Sequence, residues 1–171
     1  MEFKKFLLLL IGVAFLAGCS SSPRYASHSS SQSQVSPMLS AVNLKDRSAV
    51  KKQLMIQFNR WKGTPYQYGG TTMRGVDCSA FVQNTFHAKL GYKIPRTTRT
   101  QIKVGQKVSK SRLKVGDIVF FKTGRKSLHN GIYLGDSKFM HASSSKGVII
   151  STLKNSYWKR TYYASRRIVS I

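Results

Sequence analysis

One thiol and a few imidazoles are the side chains in this chain best suited to chemistry. Its 171 residues hold two cysteines and four histidines. Cys78 stands in GVDCSAFVQNTF (75–86), directly after one of only five acidic residues and at the head of an apolar, helix-like run. If Asp77 caps that helix, Cys78 lies in its first turn. Unpaired backbone N–H groups and the positive end of the helix dipole favour a thiolate there. The same amides can hold an oxyanion on a substrate carbonyl. Asp77 opposes the thiolate electrostatically and is given a capping role only. The competing reading is a small buried residue at a helix start, since cysteine is among the most buried residue types.

A nucleophilic thiol needs a base. His28 lies in a serine-rich stretch and is discounted. His87 follows Cys78 by nine positions, about 180° around a helix at roughly 100° per residue, and is expected on the surface. His129 and His141 remain, one immediately before the strand-like NGIYLG and one ending the strand-like KFMHAS, with the turn signal GDS between. A three-residue loop at 135–137 pairs Gly131 with His141 and puts both histidines on one face. A two-residue loop puts them on opposite faces unless a bulge intervenes. Histidines at strand ends are often structural; it is the pair, taken with a helix-start thiol, that points to catalysis. One cysteine and two histidines could also hold zinc, but no H-E-x-x-H or C-x-x-C spacing is present. Beyond Glu2 the acids are Asp46, Asp77, Asp117 and Asp136. That scarcity argues against a glycosidase-type carboxylate pair and leaves a histidine to orient the base. No metal and no cofactor are expected.

The elements that must position these groups follow from periodicity. Val50, Leu54, Phe58 and Trp61 form one face of a helix, with Asp46 or Ser48 as cap and Gly63 as its end. GTPYQYGGTTMRG is a loop. Phe81, Val82, Thr85, Phe86 and Lys89 make the inner stripe of a second helix stopped by Gly91. Then come DIVFFK, NGIYLG, KFMHAS, GVIIST and TYYASRRIVSI, short runs rich in β-formers. Helices first and strands later predict an α+β domain, N-terminal helices packed on a mainly antiparallel sheet. There is no internal repeat.

The start of the chain bears on location. Lys4 and Lys5 precede an uncharged apolar run from Phe6 to Gly18, shorter than the roughly 20 residues of a membrane span. It reads as a signal peptide over 1–18, and LAGC resembles the lipobox of bacterial lipoproteins, with lipid on Cys19. Cys78 is then the one free thiol. Residues 20–40 contain ten serines and no acid, the composition of a flexible tether; the tether is taken as 19–44 and the folded domain as 45–171. The net charge of +24 calls for an anionic partner. Export argues against nucleic acid.

TPYQYGG, GVDCSAF, IPRTT, GDIVFF, HNGIYLG and FMHASSSKGV, in that order over about residues 45–171, resemble the motifs of the NlpC family of papain-like cell-wall cysteine peptidases, most of all its lipid-anchored Gram-negative members. The resemblance implies a papain-like fold in which Cys78 is the nucleophile, His129 the base and His141 the polar residue that orients it. It implies oxyanion or substrate-binding positions for Tyr66, Ser79 and Arg96, with Thr97 near the groove. The implied reaction is hydrolysis of amide bonds in the peptide stems or cross-links of peptidoglycan through a Cys78 thioester. The implied setting is the outer membrane facing the periplasm, reached through the lipid on Cys19, with Ser20 rather than aspartate following it. A monomer is expected. Ala80 and Asn130 depart from the usual glycine and valine. A catalytically silent wall-binding lipoprotein, or an acyl transferase or amidase on the same fold, are the alternatives.

Overall fold

The computed structural model describes residues 41–169. The expected signal peptide, Cys19, His28 and the serine-rich tether up to residue 40 lie outside the described residues. Packing already begins just before residue 45: the Val42 N–H donates to the Leu90 carbonyl at 2.9 Å, and Leu44 is buried.

Helix α1, Arg47–Trp61, starts where Asp46 accepts a hydrogen bond from the Ala49 N–H. It buries Val50, Leu54, Phe58 and Trp61, the predicted face. Trp61 meets Phe81 edge to face, 6.1 Å between centroids. Phe81 belongs to α2, Cys78–Thr85, which buries Phe81, Val82 and Thr85. A π-helical turn, Phe86–Leu90, continues it, closed by a bond from the Gly91 N–H to the Phe86 carbonyl. The wider turn carries the apolar stripe one residue further, so Leu90 is buried and Lys89 is only half-buried, unlike the simple 3.6-residue stripe. Gly91 ends the turn with φ +79°, a left-handed conformation that glycine adopts without strain.

The loop after α1 holds a two-stranded ribbon, β1 (Thr71–Thr72) and β2 (Gly75–Val76). After α2 come the short α3 (Thr98–Gln101) and β3 (Gln106–Lys107), then β4 (Ile118–Lys122), β5 (Leu128–Gly135), β6 (Lys138–Ser143), β7 (Gly147–Thr152), α4 (Ser156–Thr161) and β8 (Tyr162–Arg167). The six-stranded sheet runs β3-β8-β4-β5-β6-β7 and every pair is antiparallel. This is the predicted α+β architecture, with the β1–β2 ribbon, α3, β3 and α4 added. One sheet face packs on the helices through Ile118, Phe120, Ile132, Met140, Ala142 and Val148. The other carries a smaller cluster of Val119, Phe121, Phe139 and Leu153, roofed by Trp158 and Tyr162.

Asp117 is fully buried just before β4. It accepts from Arg167 Nε and Nη2 at 2.8 and 2.7 Å and from the Lys114 N–H at 2.8 Å. This fork ties the start of β4 to β8. Asp117→Ala leaves Arg167 without its counter-charge and should cost about 3–5 kcal/mol in urea unfolding. A loss below about 1 kcal/mol would mean that water compensates the pair.

Candidate active site

Helix α2 begins at Cys78 because Asp77 caps it, Oδ1 accepting from the Ala80 N–H at 2.7 Å. Asp77 does more than cap. Arg96 donates to both its oxygens, at 3.0 Å (Nη1 to Oδ1) and 2.7 Å (Nη2 to Oδ2), and also to the Gly69 carbonyl at 3.1 Å. The Ser79 hydroxyl donates to Asp77 Oδ1 at 2.9 Å and accepts from Arg96 at 3.0 Å. Burial alone would raise the Asp77 pKa, but the bonds from Arg96, the Ala80 amide and Ser79 hold its carboxyl below the usual range. The polar groups of Ser79 and Arg96 are therefore turned into the helix start, where they fix the turn that carries the thiol.

Cys78 is 6% exposed. Its sulfur lies 3.6 Å from Thr98 Oγ1 and also receives the backbone N–H groups of Asn130 and Ser79. Burial pushes the thiol pKa up despite these bonds, and the nearby Asp77 charge adds to the rise. The helix terminus alone favours a thiolate; in place, desolvation outweighs it, and the resting group is a neutral thiol. Tyr66 borders the same groove, its hydroxyl held protonated by burial first and by the nearby Asp77 charge. It can therefore donate a hydrogen bond.

His129 is the second residue of β5, inside the strand rather than before it. The β5–β6 turn has two residues, Asp136 and Ser137, with φ of 51° and 61°, and Gly135 pairs with Lys138. Ile132 nevertheless pairs with Met140 and Tyr133 with Phe139, so Leu134 is an extra residue in a bulge. The bulge reverses the effect of the short turn and returns both histidines to one face. His129 Nε2 lies 2.8 Å from His141 Nδ1. At that separation the two nitrogens share a proton rather than flank a metal ion. Gly131 leaves the room this requires: a Cβ there would lie 2.6 Å from the Met140 carbonyl oxygen and 3.0 Å from His141 Cβ.

The shared face is the one opposite the helices, beside Phe121 and Phe139. Trp158 stacks on the His129 ring at 5.6 Å and meets the His141 ring edge-on at 5.0 Å. Its π-face suits an imidazolium at His129. Burial lowers the His129 pKa to about 4. Burial, then His129, lowers that of His141 to about 3. Unfolded histidines titrate near 6.5. Between about pH 6.5 and 3 the unfolded chain therefore binds more protons, and stability should fall as pH drops through that window. Tm measured from pH 7 to 4 should decline less steeply in His141→Asn than in the wild type. Equal slopes would place the acid-sensitive groups elsewhere.

The thiol and the imidazoles open onto adjoining parts of one groove that share Tyr66, Ser127 and Leu128. The part beside Cys78, about 760 Å³, also carries Arg96, Arg99 and Lys126. Thr97 borders it and caps α3 through a 3.3 Å bond from the Thr100 N–H. Behind the wall, Gln101 Nε2 donates to the Ser79 carbonyl at 3.0 Å, while Gln101 Oε1 accepts from Asn130 Nδ2. Asn130 thus ties the strand that carries His129, through Gln101, to the helix that carries Cys78, with its Oδ1 buried and unpartnered. His87, in the π-helical turn, is exposed, as expected. Sequence reading assigned nothing to Thr98, Ser151 or Trp158. The signals were faint: a cap-like Thr97, and Asn155 as the N-cap that starts α4.

Residues 63–167 match the family model described as NlpC/P60 family. A Haemophilus influenzae protein named probable endopeptidase NlpC homolog is 42% identical over 184 residues, 96% of this chain and 99% of its own. An Escherichia coli protein named murein DD-endopeptidase MepS/murein LD-carboxypeptidase is 46% identical over 128 residues, 75% of this chain and 68% of its own. Among solved structures, an NlpC/P60 family protein from Bacillus cereus superposes with a TM-score of 0.64 at 30% identity. That match covers 70% of this chain but 40% of the larger protein. With the helix-start thiol and the paired imidazoles in place, these matches put the chain in the NlpC/P60 family.

Proposed function

We propose that the protein is a lipid-anchored cysteine peptidase of the bacterial cell wall that hydrolyses amide bonds in the peptide stems or cross-links of peptidoglycan. One observation carries the reading: a buried helix-start thiol, bonded to the Asn130 amide, sits beside a strand whose His129 is held by His141 through Nε2. That leaves His129 Nδ1 for the thiol. Because the resting pair is neutral, proton transfer accompanies attack. Cys78 Sγ bonds to the carbonyl carbon as its proton passes to His129. The oxyanion meets the first-turn amides and the Tyr66 hydroxyl. The C–N bond breaks, the amine leaves with the proton from His129, and a thioester remains. Water then gives a proton to His129 and its oxygen to the acyl carbon, restoring the thiol and releasing a carboxylate.

The name of the Haemophilus influenzae relative supports an endopeptidase, and that of the Escherichia coli relative, a murein endopeptidase, supports a wall substrate. The charge of +24 suits the anionic peptide stems. Mass spectrometry of fragments from purified peptidoglycan tests the reaction: new amine and carboxylate ends should appear with the wild type, and undigested wall would favour a binding role. The lipid rests on LAGC at 16–19, and with Ser20 following Cys19 we place the protein in the outer membrane, facing the periplasm. A fatty-acid probe should label the wild type and not Cys19→Ala. Equal labelling would remove the anchor from the account.

A further inference from the structure

His141 uses both ring nitrogens. Nδ1 faces His129 Nε2 at 2.8 Å, and Nε2 faces Ser151 Oγ at 2.9 Å. We propose that Ser151 is a fourth, positioning member of the relay, holding His141 in the one tautomer that lets His129 act as a base. This rests on reading Cys78 and His129 as nucleophile and base.

An orienting carboxylate or amide accepts through oxygen and raises no tautomer question; a neutral imidazole does. To take the thiol proton, His129 needs a bare Nδ1, so its own proton is on Nε2 and points at His141. His141 Nδ1 must then be bare, and Nε2 must carry the proton. His141 is 1% exposed and packed against Phe139 and Trp158, so that N–H needs a protein acceptor. Ser151 Oγ supplies it. In the reversed chain Ser151 donates to Nε2, His141 donates to His129 Nε2, and His129 Nδ1 carries an N–H where a base requires a lone pair. Ser151 also borders an open polar cavity lined by Lys138, Thr152 and Asn155, which gives its own O–H solvent to donate to. Strand pairing sets the distance. Ser151 stands opposite Phe139 on β6, diagonal to His141 on the same face.

The acceptor also makes His141 Nδ1 more basic, which stabilises the His129 imidazolium. Removing it lowers the basicity of His129. In the full chain acting on a soluble cross-linked stem peptide, Ser151→Ala should lower kcat about tenfold with KM unchanged. It should also move the acidic limb of kcat/KM to lower pH. Ser151→Thr keeps the hydroxyl and should keep most of the rate. In a His141→Asn background Ser151→Ala should cost nothing further, because no imidazole remains to orient. Wild-type kcat in Ser151→Ala, an equal loss in the His141→Asn background, or no rescue by threonine would each overturn the proposal. Cys78→Ser, inactive whatever Ser151 does, separates that failure from failure of the peptidase reading.

Discussion

Cys78→Ser should cut fragment release from purified peptidoglycan by at least about 10³-fold and leave the unfolding midpoint unmoved. The fold should survive because a hydroxyl fits where the sulfur meets Thr98 and the Asn130 and Ser79 amides. The chemistry should not. Burial already raises the thiol pKa, and it lowers that of His129, in the adjoining part of the groove, to about 4. A base that weak can draw a proton from a thiol as the thiol attacks, but an alcohol holds its proton many orders of magnitude more tightly. Among the described residues no other group is placed to take over. The acids at 46, 77, 117 and 136 are committed to a cap, to Arg96, to Arg167 and to a distant surface pairing with Lys51. His87→Ala is the control. That side chain is exposed, and turnover should stay near normal. Normal digestion by Cys78→Ser would remove the nucleophile assignment.

The second large effect separates the two histidines. His129→Ala should nearly abolish turnover, by about 10³-fold or more, because in the proposed mechanism its ring both takes the thiol proton and returns it to the leaving amine. His141→Ala should leave a measurable residual rate, since in the proposed mechanism it removes only the group that orients His129. His141→Asn or His141→Gln should recover part of the loss, as an amide oxygen can accept the His129 Nε2–H. Recovery should be partial, because the diagonal contact to Ser151 and the stacking on Phe139 disappear with the ring. If His141→Ala proves as inactive as His129→Ala and neither amide helps, His141 is itself a proton-transfer group and the ranking fails.

The parts of this site legible in the sequence are those fixed by local pattern. Asp77 before an apolar helical run marks a cap, and the run places Cys78 in the first turn. Alternating Val, Ile, Phe and Tyr mark the strands. What was not legible depends on pairing at a distance or on one-residue irregularities. GDS is compatible with loops of two or three residues, and only Leu134's place in a bulge decides that His129 meets His141. The π turn that buries Leu90 breaks a helical period that the sequence carries no warning of. Arg96 reaches Asp77 across 19 positions, and Trp158 covers His129 across 29, so neither contact leaves a periodic trace. The raised thiol pKa was also hidden: a helix start argues for a thiolate, and how deeply the fold desolvates that sulfur is a tertiary quantity.

The most direct test is to titrate Cys78 with iodoacetamide, map the adduct by peptide mass spectrometry, and measure peptidoglycan cleavage by the same samples with and without EDTA. Activity should fall in proportion to the alkylated fraction of Cys78, reach zero at full modification, and be indifferent to the chelator. Cleavage that persists with Cys78 fully alkylated, or that EDTA abolishes while the thiol is free, would contradict a thiol mechanism.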